Sequence, residues 1–345
     1  MPITIQDYDF VLPAELIADT PLVTRSASRM LAVNRVSRSF DDRKFTDIVE
    51  YLLPSDVLVI NNTKVFPARL YGTTETGARV EIFLVKLIQG NCWEVLAKPG
   101  RRLSVGKRIV FESRLSCKVL EKRETGDLLV EFEADGDLDA IIDSIGRTPL
   151  PPYIKRPHNA IDTDRERYQT VFASQRGAIA APTAGLHFTP GLLANIARNG
   201  TEIVEITLHV GYGTFEPVRV SDLSEHRVSP ERFHISDCAA DALNNALSQK
   251  RRIVCVGTTT TRALESCFTQ NSAIMPGEGT ADLTITPGYK FSVAGALLTN
   301  FHLPQSSLLV LVSTFAGREL IMKAYEHAIC ERYRFYSYGD CMLIQ

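Results

Sequence analysis

The chain has no apolar run long enough to cross a bilayer, no paired cysteines and almost no net charge. Each absence argues against a class of function. The most apolar stretch near the C-terminus, around 307–312, falls far short of the roughly 20 residues that a membrane-spanning helix needs. Residues Met1 to Asp7 lack the basic start and apolar core of an export signal, so a cytoplasmic protein with no membrane contact is expected. The seven cysteines, Cys92, Cys117, Cys238, Cys255, Cys267, Cys330 and Cys341, stand singly, which argues against a zinc site built from CxxC pairs. Reduced thiols filling the core are expected instead. A formal net charge of −2 leaves any nucleic-acid binding to local patches. The GxSxG elbow, HExxH and GxxxxGK[ST] are all missing, which disfavours the hydrolases and triphosphatases they mark.

What is present reads as two interleaved patterns. With 345 residues, 45% of them hydrophobic, the chain has room for two domains. The first 60 residues are mixed: a short helix at 13–18, a strand at 30–34, helical spacing over 45–53 and a buried strand at 56–60. Six strand-like runs follow, at 68–73, 78–88, 92–97, 107–112, 115–121 and 128–133, with no helix between them; they suggest a small barrel or sandwich. A helix at 138–145 and a proline-rich return at 148–157 end this block. Alternation of strands and helices then resumes: a strand at 178–181, a helix capped by Thr189 and Pro190, a strand at 202–210, a helix capped by Ser236, a strand at 252–256, and helices from Thr260, Ser306 and Arg318. An α/β domain interrupted by an all-β insertion is the architecture this predicts.

Ligands of open α/β sheets lie beyond the carboxyl ends of the strands. Three predicted strands end in small, polar sequence: Pro182-Thr183-Ala184-Gly185-Leu186-His187-Phe188-Thr189, then Gly211-Tyr212-Gly213-Thr214-Phe215, then Gly257-Thr258-Thr259-Thr260-Thr261-Arg262. Glycine permits close backbone approach, and bare N–H groups at a helix start hold anions. Arg262 with those N–H groups suits the carboxylate of an amino-acid moiety. A fourth break, Thr299-Asn300-Phe301-His302-Leu303-Pro304, reads as a polar loop, and the tail Arg334 to Asp340 is rich in aromatics. Lys98, Arg101, Arg102, Lys107 and Arg108 form an acid-free basic cluster.

Read together, these segments resemble one family, the S-adenosylmethionine:tRNA ribosyltransferase-isomerases of queuosine biosynthesis. The resemblance spans essentially the whole chain. It rests on Val59 to Leu70, Gly146 to Ile154, Arg167 to Val171, Ala180 to Thr189, Leu208 to Gly211 with Gly213-Thr214-Phe215, and Val256 to Thr259. It continues in Arg262 with Leu264-Glu265-Ser266, Pro287 to Tyr289, Thr299 to Pro304 and Arg334 to Asp340. The chain departs from the family's usual pattern at Ser229, where a histidine is common, and at Gly295, where an aspartate is common.

The resemblance implies a fold class: a main α/β domain, residues 1–65 plus 148–345, with an inserted small six-stranded antiparallel β-barrel domain, residues 66–147. It implies transfer and isomerisation of the ribosyl moiety of S-adenosylmethionine onto 7-aminomethyl-7-deazaguanine at the wobble position of tRNAs with GUN anticodons, those for tyrosine, histidine, asparagine and aspartate. Epoxyqueuosine is the product, and adenine and methionine leave. S-adenosylmethionine is then a co-substrate, with no bound cofactor and no metal, in a monomer. The sulfonium acidifies the C5′ protons, so a base is wanted. His187 and His209 are the candidates, with Asp340 as a catalytic carboxylate that, like Glu265, suits the guanine-like edge. S-adenosylmethionine contacts are expected from Thr183, Gly185, Gly211, Gly213, Thr214, Phe215, Thr258, Thr259, Arg262 and Glu265. Contacts to tRNA or its base are expected from Asn61, Asn62, Arg69, Lys98, Arg101, Arg102, Asn300, His302 and Tyr336.

Overall fold

The computed structural model describes residues 4–156, 163–211, 213, 218 and 220–345. It begins with β1 (Arg29–Asn34) and β2 (Ser39–Lys44), an antiparallel pair, followed by α1 (Ile48–Tyr51), β3 (Val57–Asn61) and β4 (Thr63–Val65). β3 is apolar at four consecutive positions because it is buried on both faces, as a strand between two helix layers must be.

The six runs read as a barrel or sandwich form β5 (Arg69–Thr74), β6 (Arg79–Gln89), β7 (Cys92–Lys98), β8 (Arg108–Val110), β9 (Leu115–Lys122) and β10 (Leu128–Ala134). They close as an antiparallel barrel in the order β10-β7-β6-β5-β8-β9, so no edge is left open. The alternation explains the closure: Leu128, Val130 and Phe132 point inward on β10 and join Leu70, Ile82, Val95 and Val119 in a separate core. After α2 (Leu138–Ile145), capped by Asp137, Arg147 bridges back to Arg69. The chain therefore leaves for the barrel and returns at one point.

The return supplies α3 (Asp164–Arg167), β11 (Gln175–Ala178), α4 (Pro190–Arg198), β12 (Glu202–Leu208), β13 (Glu231–Ile235), α5 (Asp237–Ser248), β14 (Ile253–Val256), α6 (Thr258–Asn271), β15 (Gly277–Ala281), β16 (Ala296–Asn300), α7 (Ser307–Ala316), α8 (Arg318–Cys330) and β17 (Cys341–Ile344). Thr189 caps α4 and Ser236 caps α5 through their hydroxyls, as their positions predict. The main sheet has nine strands in the order β15-β13-β12-β3-β14-β16-β17-β1-β2. Val57 and Val59 face a core shared with α5 to α8, while Leu58 and Ile60 face one shared with α1 and α4. Both faces are covered, which is the expected α/β layering.

Some local expectations change. The strand expected at 178–181 lies at 175–178, where it pairs with β4. The break at 299–304 is no simple loop, since Thr299 and Asn300 finish β16. Among the described residues no helix is long and apolar enough to cross a membrane.

Candidate active site at the carboxyl edge of the sheet

β12, β3, β14 and β16 run parallel, so their carboxyl ends share one edge. β17 runs antiparallel to β16 and delivers the aromatic tail to the same edge. A depression of about 550 Å3 opens there, lined by Ala180 to Ala184, Val210, Gly257 to Thr259, Thr299, Asn300, His302, Leu308, Tyr336 and Ser337. A neighbouring one of about 520 Å3 shares Thr258, Thr259 and Leu308 and adds Gly213, His226, Ser229 and Arg262. Polar breaks that are far apart in sequence thus meet around the start of α6.

That helix start is built for a ligand to approach. Gly257 turns from β14 into α6 at φ +92°, a conformation that favours glycine. Thr260 Oγ1 donates to the Val256 carbonyl at 2.7 Å and Thr261 Oγ1 to that of Gly257 at 3.1 Å. No side chain caps the helix, and buried Thr259 Oγ1 has no partner among the described residues. Thr258 and Thr259, the first residues of α6, line both depressions. Opposite, Tyr336 is held at φ +74°. Its N–H donates to the Phe301 carbonyl at 3.0 Å and its carbonyl accepts from Asn300 Nδ2 at 3.1 Å. Its ring packs 4.5 Å from that of Tyr153.

His187 sits behind this wall rather than in it. Its Nδ1 is 2.8 Å from Ser28 Oγ and its Nε2 is 3.4 Å from Asn300 Nδ2, while Phe45 covers the ring. Burial, then the charges of Arg25 and Arg334, push its pKa down to about 3. Asn300 Nδ2 can only donate, so Nε2 accepts and no lone pair is left for a substrate proton. The expectation of His187 as the base is corrected on that ground. His302 is likewise neutral, with burial pushing its pKa to about 3 and Nε2 2.9 Å from Thr299 Oγ1.

His209 is half-buried on the other side of the Val210 strand end. It lines a groove of about 1400 Å3 with Asn62, Arg176, Glu205, His234 and Glu278. Its Nδ1 lies 2.8 Å from Thr63 Oγ1, and burial, with Arg232, lowers its pKa. Gly177 lets the ring lie close: a Cβ there would meet it at 2.6 Å. The two histidines therefore do not share one cavity.

Several other expected contacts are committed elsewhere. Glu265 is fully buried, accepting from the N–H groups of Ser292, Val293 and Ala294 at 2.9–3.0 Å and from the Tyr289 hydroxyl at 2.7 Å. It has no free edge to offer a substrate. Arg262 touches the second depression, but its guanidinium is neutralised by Glu231 at 2.8 Å and donates to the Ala281 carbonyl at 2.9 Å. Glu231 also takes the Gly211 N–H at 2.9 Å. Asp340 is buried, with its carboxylate accepting from the N–H groups of Arg29 and Arg334, both at 2.8 Å. Burial raises its pKa. Asn61 closes on the Leu208 backbone, and Arg69 pairs with Glu81 at 2.6 Å. Gly185 packs against Thr170 and Phe172, where a Cβ would meet either at 2.8 Å. At each of these positions the side chain or backbone is engaged within the scaffold.

Thr183, Thr258, Thr259, Asn300, His302 and Tyr336 do line the first depression, Gly213 lines the second, and Asn62 lines the groove. Thr214 and Phe215 lie outside the described residues. On the barrel, Lys98 and Arg101 are exposed and in no ion pair among the described residues, whereas Arg108 pairs with Glu133 at 2.5 Å. The backbone of Arg102 belongs to the 3-10 turn Gly100–Arg102. Ser229 lies at the second depression, but Gly295 is at the opposite end of β16 from Asn300. A Cβ at Gly295 would meet Arg252 Cγ at 2.9 Å, so that departure concerns packing. Sequence reasoning missed Ser28, Leu308 and Ser337; each is an unremarkable residue in its own segment, and only the topology brings it here. Among the described residues no three His, Cys, Asp or Glu side chains gather where a metal ion would need them.

The chain matches a family model described as queuosine biosynthesis protein over residues 5–344. It is 46% identical over 342 residues, 99% of either chain, to a protein of Desulforamulus reducens named S-adenosylmethionine:tRNA ribosyltransferase-isomerase. It is 47% identical over the same length to a Syntrophotalea carbinolica protein of that name. A crystal structure of an S-adenosylmethionine tRNA ribosyltransferase from Thermotoga maritima is 34% identical, covers 98% of this chain and all of its own, and superposes with a TM-score of 0.57.

Proposed function

The chain belongs to the queuosine biosynthesis protein family, and from that premise we propose that it is a tRNA-modifying ribosyltransferase-isomerase using S-adenosylmethionine as donor. The acceptor is 7-aminomethyl-7-deazaguanine at the wobble position of tRNAs with GUN anticodons. Epoxyqueuosine forms, and adenine and methionine leave. The observation that carries this reading is the meeting of four strand ends around the start of α6, with two buried oxygen atoms, Thr259 Oγ1 and Asn300 Oδ1, that have no partner among the described residues. A concave site with a few convergent polar groups and apolar walls suits a small-molecule donor.

Within this reading His209 is the base. Lowered in pKa by burial, its imidazole can accept a proton from a substrate group lying in its own groove, which is separate from the two depressions that take the donor. In the tautomer whose Nδ1–H donates to Thr63 Oγ1, Nε2 keeps its lone pair. His209→Gln is expected to lower kcat by about 100-fold with tRNA affinity unchanged, read by single-turnover kinetics. A kcat within twofold of wild type would remove it from the mechanism.

The exposed cations of the barrel suit anticodon-stem phosphates. Replacing Lys98 and Arg101 together by alanine is expected to weaken binding of all substrate tRNAs alike and to lower the slope of log affinity against log salt by about 2. An unchanged slope in filter-binding assays would move the tRNA to another face. The overall reaction is tested with purified protein, S-adenosylmethionine and tRNA carrying the aminomethyl base. Adenine and methionine should appear in step with a mass gain on the tRNA, whereas S-adenosylhomocysteine would mark a methyl transfer instead.

A further inference from the structure

Resting on the reading that S-adenosylmethionine is the donor, we propose that the first depression seats its adenine ring, and that Asn300 Oδ1 selects that ring by accepting from its exocyclic 6-amino group. His187 acts as the positioning residue that fixes the Asn300 amide.

The amide orientation follows from its neighbours. One side-chain atom of Asn300 lies 3.1 Å from the Tyr336 carbonyl and 3.4 Å from His187 Nε2. A carbonyl only accepts, so this atom is the NH2 group. The imidazole then accepts at Nε2 and donates from Nδ1 to Ser28 Oγ at 2.8 Å, and that hydroxyl lies 3.4 Å from the Arg25 carbonyl. Every donor in this relay has an acceptor. Turning the amide over would set Oδ1 against the Tyr336 carbonyl, oxygen against oxygen. Oδ1 is therefore fixed on the other side, buried and without a partner among the described residues. A buried acceptor without a donor is rare in a folded protein and is explained when a ligand brings the donor.

The character of the depression identifies the ligand part. Among the described residues that line it, none is an acid, a lysine or an arginine. A carboxylate, an ammonium or a sulfonium would find no counter-charge among those described residues. Ala180, Pro182, Val210 and Leu308 give apolar surface, Tyr336 an aromatic ring, and Thr259 a second unpartnered oxygen that can serve a ring nitrogen. A flat, neutral heteroaromatic ring with an amino group fits this combination. The adjoining depression, which holds Arg262, His226 and Ser229, is left for the more polar remainder of the donor.

The test compares S-adenosylmethionine with its purine-riboside analogue, in which hydrogen replaces the 6-amino group. With wild-type protein, kcat/KM for the analogue is expected to be about 100-fold lower, chiefly through KM, because Oδ1 stays unpaired. Asn300→Leu should use both donors equally, at about the rate of wild type with the analogue. His187→Leu, which releases the amide to turn, should reduce the preference at least tenfold, an effect that a purely structural histidine would not have. Equal use of the two donors by wild type, or a preference kept by Asn300→Leu, would overturn the assignment. Failure of the donor reading itself looks different: no purine is released from either compound.

Discussion

Glu265→Ala is expected to destabilise the fold by about 3–5 kcal/mol, read as a shift in the urea midpoint. The carboxylate is wholly enclosed and accepts four hydrogen bonds, three from consecutive N–H groups at 292–294 and one from Tyr289. A hydrogen bond to a charged group contributes roughly 1.5–3 kcal/mol, and a buried donor left unpaired costs about 1–3 kcal/mol. Four such losses do not add in full, because the loop relaxes and water enters, which sets the range given. Glu265→Gln should fall between, since its amide keeps one acceptor but turns an NH2 group on donors. A midpoint shift worth less than about 1 kcal/mol for the alanine variant would show that the carboxylate does not hold the segment before β16.

Acid should destabilise the protein well before its carboxylates titrate. His187 and His302 are buried and neutral, with pKa values pushed down to about 3 from an ordinary 6.5. The unfolded chain therefore binds protons that the folded one refuses, and stability rises with pH. The full contribution is present above pH 6.5 and is lost as pH falls from there towards 3. Each histidine removes about 1.4 kcal/mol per pH unit, so by pH 4.5 the pair removes about 5 kcal/mol. Urea titrations at pH 7.5, 6.5, 5.5 and 4.5 measure this. The interval from 7.5 to 5.5 is the cleanest, because carboxylates with ordinary pKa values stay ionised throughout. A midpoint unchanged over that interval would mean that both rings protonate in the folded state. His302→Gln should remove about 1.4 kcal/mol per pH unit of that slope.

The barrel was legible from the sequence because each of its strands carries its own inward alternation, as Leu128, Val130 and Phe132 do, and turn residues separate the strands. The capped helices were legible for an equally local reason: Thr189 and Ser236 each bond an N–H three residues on. β2 and β15 escaped notice because they are exposed or glycine-rich, and their pairing depends on partners elsewhere in the chain. In the site, residue type was legible but assignment was not. Arg262 looks like an anion receptor until Glu231, 31 positions away, is seen to neutralise it. His187 looks like a base until Ser28 and Asn300 are found on its two nitrogens. Long-range partners decide whether a polar side chain is available, and no local pattern encodes them.

The place of β17 in the sheet bears on how the protein is made. This strand, at 341–344, lies between β16 and β1, and Cys341 Sγ reaches the Arg29 carbonyl across 312 positions of sequence. A ribosome emits β1 first and β17 after everything it joins. Until then the sheet is in two parts, of six strands and of two, each with a bare hydrogen-bonding margin of the kind that invites wrong pairing. All six barrel strands lie within residues 69–134, whereas the nine-stranded sheet lacks the link between β16 and β1 until β17 is made.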